Sequence, residues 1–282
     1  MPQIFKRIIV RWLCIYCALR YFNNPAIIIP ILYSRAPKPR YIIRMRSGMI
    51  LSIRPASGWS VSDIDILMEN LVLNQYRFRD TVKSGDTIVD IGAHIGIFSL
   101  LAAYACPDVT VFAFEPQSDN FALLRENVAL NPRAHIIPIN RAVASDRTRD
   151  KLYKAPSNTG AHSLFGCGGS FETVESTELR TVLDSLPNKR IDLLKLDCEG
   201  AEFDIIRHAS IEDLRRIRQI VMEIHETVHT EGYRVEALLG RLAEAGLATA
   251  IQRRMRYSDQ GTFHVAIAKR KTPVAGSGPT DA

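Results

Sequence analysis

From Ser84 onward, short apolar runs of strand length alternate with segments of helical periodicity, and that alternation leaves few folds open. Thr87–Ile91 (TIVDI), Val109–Phe114, His135–Ile139, Ile191–Leu196 and Gln219–Ile224 read as strands. Between or after them, Ile95–Ala105, Ser118–Leu130, Ala201–His208 and Val235–Ala245 read as helices; Phe121, Leu124 and Val128 fall at helical spacing. Two strands, Leu247–Ile251 and Thr262–Ala268, then follow the last helix directly and form an antiparallel edge pair. This order predicts an α/β fold, a doubly wound and mostly parallel sheet covered by helices on both faces. In such a sheet the ligand crevice opens at the carboxyl ends of the strands.

Composition and charge narrow the function. With 46% apolar and 23% charged residues in 282, the chain has the balance of a core-forming protein, not of a collagen, a coiled coil or a disordered chain. No uncharged apolar run approaches the roughly 20 residues of a membrane-spanning helix. The net charge of +6 is unevenly placed: residues 1–62 carry ten Lys or Arg and no acid, and the first acidic residue is Asp63. The basic character therefore belongs to the N-terminal segment and says little about the main domain's ligand. Residues 4–22 form a mostly apolar helix interrupted by Arg11 and Arg20, with no small-residue cleavage site after it, so a signal peptide is not expected. Two placements stay open for residues 1–62: a helical appendage packed on the main domain, or peripheral contact with an anionic membrane surface. The expected organisation is residues 1–62 as a basic apolar segment and 63–271 as the main domain. Residues 144–190 form an insertion, read as a flap or a surface excursion, and 272–282 a disordered tail.

Three motifs carry chemistry. The first is Asp90-Ile-Gly92-Ala-His94-Ile-Gly96, which ends the first strand and enters a helix. Gly92 permits a sharp turn, Gly96 permits close approach, and the helix start offers unpaired N–H groups to a negative ligand group. A dinucleotide fingerprint would need glycine where His94 and Ile97 stand, which counts against NAD. The second is Glu115, 25 residues after Asp90 at the end of VFAFEP, where a carboxylate can accept both hydrogen bonds of a ribose diol. Together they point to a nucleoside cofactor with a small, carboxylate-bearing other end. The third is Lys195-Leu-Asp197-Cys-Glu199-Gly-Ala-Glu202, with Met222-Glu223-Ile-His225 ending the next strand. Residues two apart in a strand share a face, so Lys195 pairs with Asp197 and Glu223 with His225 on one rim. Asp197 is a candidate base or substrate anchor, and Lys195 a partner for it or a holder of a substrate oxygen.

DxGxxxG, the strand-ending FEP, and KLDCEGAE followed by MEIH, in that order, resemble S-adenosyl-L-methionine-dependent methyltransferases of the FkbM type over roughly residues 63–270. The resemblance implies a seven-stranded Rossmann-like sheet with an antiparallel final strand. It implies that Asp90, Gly92 and Gly96 surround the methionine half of the cofactor and that Glu115 holds the ribose. Asn140 to Ala142 and Asp146 would then lie near the adenine. His94 stands where the family commonly has Asn and is counted with the cofactor contacts. The acceptor implied is a hydroxyl of a saccharide, glycolipid or related natural product, with Glu199, Glu202 and Glu223 beside it. The catalytic residues expected are Asp197, His225 and Lys195, and whether Asp197 or His225 is the base stays open.

Two patterns are set aside. His225-Glu226-Thr-Val-His229 spells a zinc-protease motif, but that motif needs a helix and here it continues an apolar strand. Cys14 and Cys17 make one CxxC with no second pair, and five scattered cysteines suit a reducing compartment. The expectation is a cytoplasmic enzyme, reaching the inner membrane face if residues 1–62 bind lipid, with no metal assigned. The competing readings are a nucleic-acid methyltransferase, for which the main domain lacks an aromatic-interleaved basic surface, and a non-catalytic cofactor-binding subunit.

Overall fold

The computed structural model describes residues 15–26, 39–55, 63–145, 149–154, 163–164, 170–226, 234–257 and 261–270. The central sheet has seven strands: β3 (Thr87–Ile91), β4 (Thr110–Phe114), β5 (His135–Ile139), β9 (Ile191–Leu196), β10 (Ile217–Glu226), β11 (Leu247–Tyr257) and β12 (Gly261–Arg270). Their spatial order is β11-β12-β10-β9-β3-β4-β5. All neighbours run parallel except β12, which lies between β10 and β11 and is antiparallel to both. The last strand is thus the antiparallel one, as expected, and β11 forms the edge.

The strands read as continuous apolar runs because both faces are covered. Successive residues go to opposite sides. Ile88, Leu193 and Val221 join one cluster with helices α1 (Asp63–Leu73), α3 (Ile97–Ala105) and α4 (Ser118–Ala129). Val89, Leu194 and Ile220 join the other with α5 (Leu179–Ser185), α6 (Ala201–His208), α7 (Ile211–Arg215) and α8 (Val235–Glu244). A short helix α2 (Phe78–Thr81) follows α1. β11 runs six residues beyond the expected Ile251, with a register shift between Ile251 and Arg253. The added stretch begins with Gln252, Arg253 and Arg254, all exposed, which an edge strand tolerates.

Two smaller sheets flank this body. β1 (Tyr41–Arg44) and β2 (Ile50–Ile53) form a hairpin, and residues 15–21 are helical. Cys17, Ala18, Phe22, Ile43 and Leu51 are buried in the same cluster as α1 and α3, so these described parts of the N-terminal segment pack on the main domain. Among the described residues no helix is long and apolar enough to cross a membrane. Within the expected insertion, β7 (Arg149–Tyr153) and β8 (Phe171–Glu178) join β6 (Ala142–Ala144) in a three-stranded sheet of order β6-β8-β7. The glycine- and serine-rich patches 157–162 and 166–169, Asp146, Cys14, most of residues 1–62 and the tail from 271 lie outside the described residues.

Candidate active site

The strand order lays the motifs along one rim. Glu223 comes from β10, Asp197 from the end of β9, Gly92 from the end of β3, Glu115 from the end of β4 and Ala142 from beyond β5. They line one cavity of about 200 Å³. The order reverses between β3 and β9, the position at which a doubly wound sheet places its ligand crevice.

The glycines of the first loop provide a sharp turn and a close approach, both made against other parts of the chain. Gly92 has φ +78°, and a Cβ on it would meet the Asp197 carbonyl oxygen at 1.8 Å. Its missing side chain lets the β3 and β9 loops touch, more than it admits a ligand. Gly96, φ +88°, makes room for Leu124 Cδ1 at 2.6 Å, and α3 starts only after it, at Ile97. Asp90 is fully buried and lies off the cavity: its Oδ2 accepts from Ser99 Oγ at 2.6 Å and its Oδ1 is 3.2 Å from Lys195 Nζ. It supports the loop from below.

Glu115 is 5% exposed; Oε2 accepts the His94 backbone N–H at 2.8 Å and Oε1 that of Gln117 at 2.9 Å. Burial raises its pKa to about 7 against the pull of these donors. The Asn120 side chain hydrogen-bonds the carboxylate as well, so of its roughly four lone-pair positions about one is left for a ligand hydroxyl. Phe114, Pro116, Ala142 and Val143 line the same end with apolar surface suited to a base. Asn140 does not line the cavity; its Nδ2 donates to the carbonyls of Glu115 and Pro116, fixing the turn that carries the carboxylate. His94, φ +53°, lines the cavity, and its Nε2 is 3.0 Å from Arg54 Nη2. A guanidinium only donates, so in this contact Nε2 serves as the acceptor, with Asp63 Oδ1 3.6 Å from the same atom. Arg54 in turn grips Asp63 through Nε and Nη2, each at 3.0 Å.

The other end is rich in carboxylates. Lys195 is 3% exposed, donates to Gly92 O at 2.7 Å and is 3.5 Å from Asp197 Oδ2. Burial works against its charge, but Asp90 and Asp197 outweigh that and raise its pKa above the usual value. It is a fixed cation, unable to take a proton. Asp197 feels the same burial, yet Lys195, His225 and a hydrogen bond from Tyr76 lower its pKa, so it is an anion at neutral pH. His225 Nδ1 is 3.2 Å from Glu202, and its Nε2 is 3.5 Å from both Glu199 and Glu223. Burial opposes its charge, but Glu199 and Glu202 push its pKa well above the ordinary value. These acids favour the imidazolium form, the counter-ion of the cluster, over the neutral form that a base requires.

Glu202, expected beside the acceptor, is wholly buried and turned away from the cavity. Its two oxygens accept the backbone N–H groups of Cys198 and Gly200 at 2.8 Å each and so hold the turn before α6. Glu199 and Glu223 do face the cavity. Burial lifts Glu199 to about 7, His225 notwithstanding, and burial with Asp197 raises Glu223. Asp197, Glu199 and His225 offer atoms within 4.8 Å of one another, a spacing at which a cation could be shared. The zinc-protease spelling is not realised in the described part: His225 and Glu226 belong to strand β10, and residues 227–233 lie outside it.

A second wall comes from residues that strand-end motifs could not reveal. Glu69 of α1 and Gln75 and Tyr76 of the turn after it also line the acceptor end. Tyr76 Oη donates to Asp197 Oδ2 at 2.6 Å, and Gln75 Nε2 donates to Glu223 Oε2. A buried tyrosine and a glutamine on an otherwise amphipathic segment carry no pattern of their own.

A parallel sheet with a buried ribose-type acid after β4 and a glycine loop after β3 defines the class of nucleoside-cofactor enzymes built on this rim. The model of the methyltransferase FkbM domain matches residues 90–248, more than half of the chain, and the protein belongs to that family of S-adenosylmethionine-dependent methyltransferases. It is 29% identical over 233 residues to the 31-O-demethyl-FK506 methyltransferase FkbM of Streptomyces tacrolimicus, covering 69% of this chain and 89% of that one. It is 32% identical over 194 residues to the methyltransferase sdnD of Sordaria araneosa, covering 56% and 73%. To the hexuronic acid methyltransferase AglP of Haloferax volcanii it is 25% identical over 182 residues, covering 64% and 71%. A solved structure of M. jannaschii TYW2 in complex with AdoMet superposes with a TM-score of 0.45 at 16% identity, covering 83% and 86%.

Proposed function

We propose that the protein transfers methyl to a hydroxyl oxygen of a saccharide, glycolipid or related natural product, with Asp197 accepting the hydroxyl proton. The observation that carries this reading is the Asp197 carboxylate: ionised, 27% exposed into the cavity, and tied to the Gly92 loop through Lys195. Bound at the Glu115 end, S-adenosylmethionine supplies an activated methyl group whose bonding pair stays on sulfur.

The chain's own task is alignment and proton removal. Glu115, the 92–94 loop and the apolar lining of Phe114, Pro116 and Ala142 hold the cofactor. Glu223, Glu199 and Gln75 offer hydrogen-bond partners to a polyhydroxyl acceptor. As the acceptor oxygen gains the methyl, its O–H bond breaks and the proton passes to Asp197. The names of two relatives, an O-demethyl-substrate methyltransferase and a hexuronic acid methyltransferase, support an oxygen acceptor for this chain as well.

Radiolabelled cofactor offered with a panel of saccharides, glycolipids and hydroxylated natural products tests it. Label should enter an ether of one of them, and Asp197→Asn should cut that transfer at least about a hundredfold, the usual worth of a positioned base. Transfer confined to amines, thiols or nucleic acid would refute the reading.

A further inference from the structure

The acceptor end has two walls, and only one is made of strand ends. The other is the turn at residues 74–77 between α1 and α2. Asn74 and Arg77, neither of them glycine, hold left-handed φ values of 46° and 49° on either side of Gln75 and Tyr76. Such backbone is costly for L-residues and persists where surrounding contacts over-determine it. Here those contacts reach into the site. Gln75 Nε2 donates to Glu223, and Tyr76 Oη donates to Asp197 Oδ2 at 2.6 Å.

Tyr76 is itself immobilised. It is 4% exposed, edge-on to Phe98 with centroids 5.5 Å apart, and Lys195 Nζ lies 5.5 Å from its ring centroid. Its ring is therefore fixed, and of the two carboxylates within reach its hydroxyl lies closer to Asp197 Oδ2, at 2.6 Å, than to Glu223 Oε2, at 3.3 Å. The ties of Tyr76 and Lys195 to Asp197 both fall on Oδ2, so among the described residues Oδ1 is the oxygen left to meet a ligand.

We propose that Tyr76 is a positioning residue for methyl transfer: its hydroxyl holds Oδ2 of Asp197 and thereby presents Oδ1 to the acceptor hydroxyl. This rests on the reading of Asp197 as the proton acceptor. Burial and the nearby acids hold the Tyr76 phenol above its usual pKa, so it stays a donor across the working range. The charged groups around Asp197 are Lys195 of β9, Glu223 and His225 of β10, Glu69 of α1 and Glu199 of the turn after β9. Replacing Tyr76 by Phe leaves all of them in place and removes only the hydroxyl, whose short bond is the one to Asp197 and whose contacts with Glu223 Oε2 at 3.3 Å and Gln75 Nε2 at 3.5 Å are longer.

The experiment is a carboxyl ¹³C NMR titration of aspartate-labelled protein, with the Asp197 resonance assigned through Asp197→Asn, in the parent and in Tyr76→Phe. The Asp197 midpoint should rise at least tenfold in proton affinity in Tyr76→Phe. With an acceptor from the panel above, kcat should fall about tenfold while the acceptor KM stays within threefold. An unmoved midpoint, or a loss carried by KM alone, would overturn the proposal and leave Tyr76 a packing residue. Should Tyr76→Phe not fold, 3-fluorotyrosine placed at position 76 is the second probe; a stronger donor must lower the Asp197 midpoint, and no shift again overturns it. Calorimetric titration of the same samples with S-adenosylhomocysteine keeps the two readings apart. A folded parent that binds none refutes the cofactor site, whereas an unmoved Asp197 midpoint refutes only the role of Tyr76.

Discussion

Burial raises the Glu115 carboxyl to about 7, while an unfolded chain leaves it near 4.5, and the sign of that difference makes a prediction. A raised folded value means the native state holds the proton more tightly. The group's contribution to stability is complete below 4.5 and is lost as pH rises through 7. Glu199, also lifted to about 7, acts in the same sense. The ligand-free protein should therefore lose thermal stability between pH 5 and 8. Glu115→Gln, which cannot ionise, should lose less. The gap between variant and parent should widen over that interval by about 1–3 kcal/mol, a few degrees in melting temperature for a chain this size. Parallel melting curves for the two proteins would contradict it. Cofactor affinity should move the other way. A diol needs the ionised carboxylate, so dissociation constants should weaken on the acid side of 7 by up to about tenfold per unit.

At the scale of elements, the loop after β3 is held by its contact with the end of β9, and the two glycines of DxGxxxG have unequal burdens. Gly92→Ala would drive a Cβ into backbone, the Asp197 carbonyl at 1.8 Å, and hold a side chain at φ +78°. Gly96→Ala meets only the end of the Leu124 side chain at 2.6 Å, which can swing aside. We expect Gly92→Ala to cost more than about 4 kcal/mol or to prevent folding, and Gly96→Ala about 1–3 kcal/mol, in denaturant midpoints. Equal costs would contradict this division.

The same elements show what was legible in the sequence. Thr87–Ile91 and Ile191–Leu196 were readable to the residue because central parallel strands are apolar on both faces and flanked by turn residues. His135–Ile139, at the sheet's edge with His135 and Ile137 exposed, was readable from its short apolar run alone. β8, FETVESTE, was not, because an alternating polar strand in a small flanking sheet looks like loop. The Glu115, Asp197 and Glu223 positions followed from strand ends. Glu202 was misplaced since a carboxylate that caps a turn and one that meets a ligand are written with the same letter. Tyr76 and Gln75 were missed because nothing in an isolated segment shows which far strand end it will cover.

Across the whole molecule, residues before the domain-like repeat of strand and helix reach back to the cofactor loop. Arg54 follows β2, donates through its side chain to buried Asp63 at the start of α1, and touches His94 beyond β3. Three separate parts of the chain close on one guanidinium. Arg54→Met would leave the Asp63 carboxylate, which is 1% exposed, with the backbone N–H of residue 54 but without its guanidinium, and should cost about 2–4 kcal/mol in denaturant unfolding; Asp63→Asn in the same chain should return part of it. A cost below about 0.5 kcal/mol would show the clasp to be incidental.

Whether this rim binds S-adenosylmethionine through Glu115 is decided by calorimetric titration of S-adenosylhomocysteine into the parent and into Glu115→Ala at pH 8. One site per chain is expected in the parent and at least about a tenfold loss in the variant, the worth of a charged group's hydrogen bonds to a diol. A folded parent that takes up no ligand, or a variant that binds as tightly as the parent, would contradict binding through Glu115.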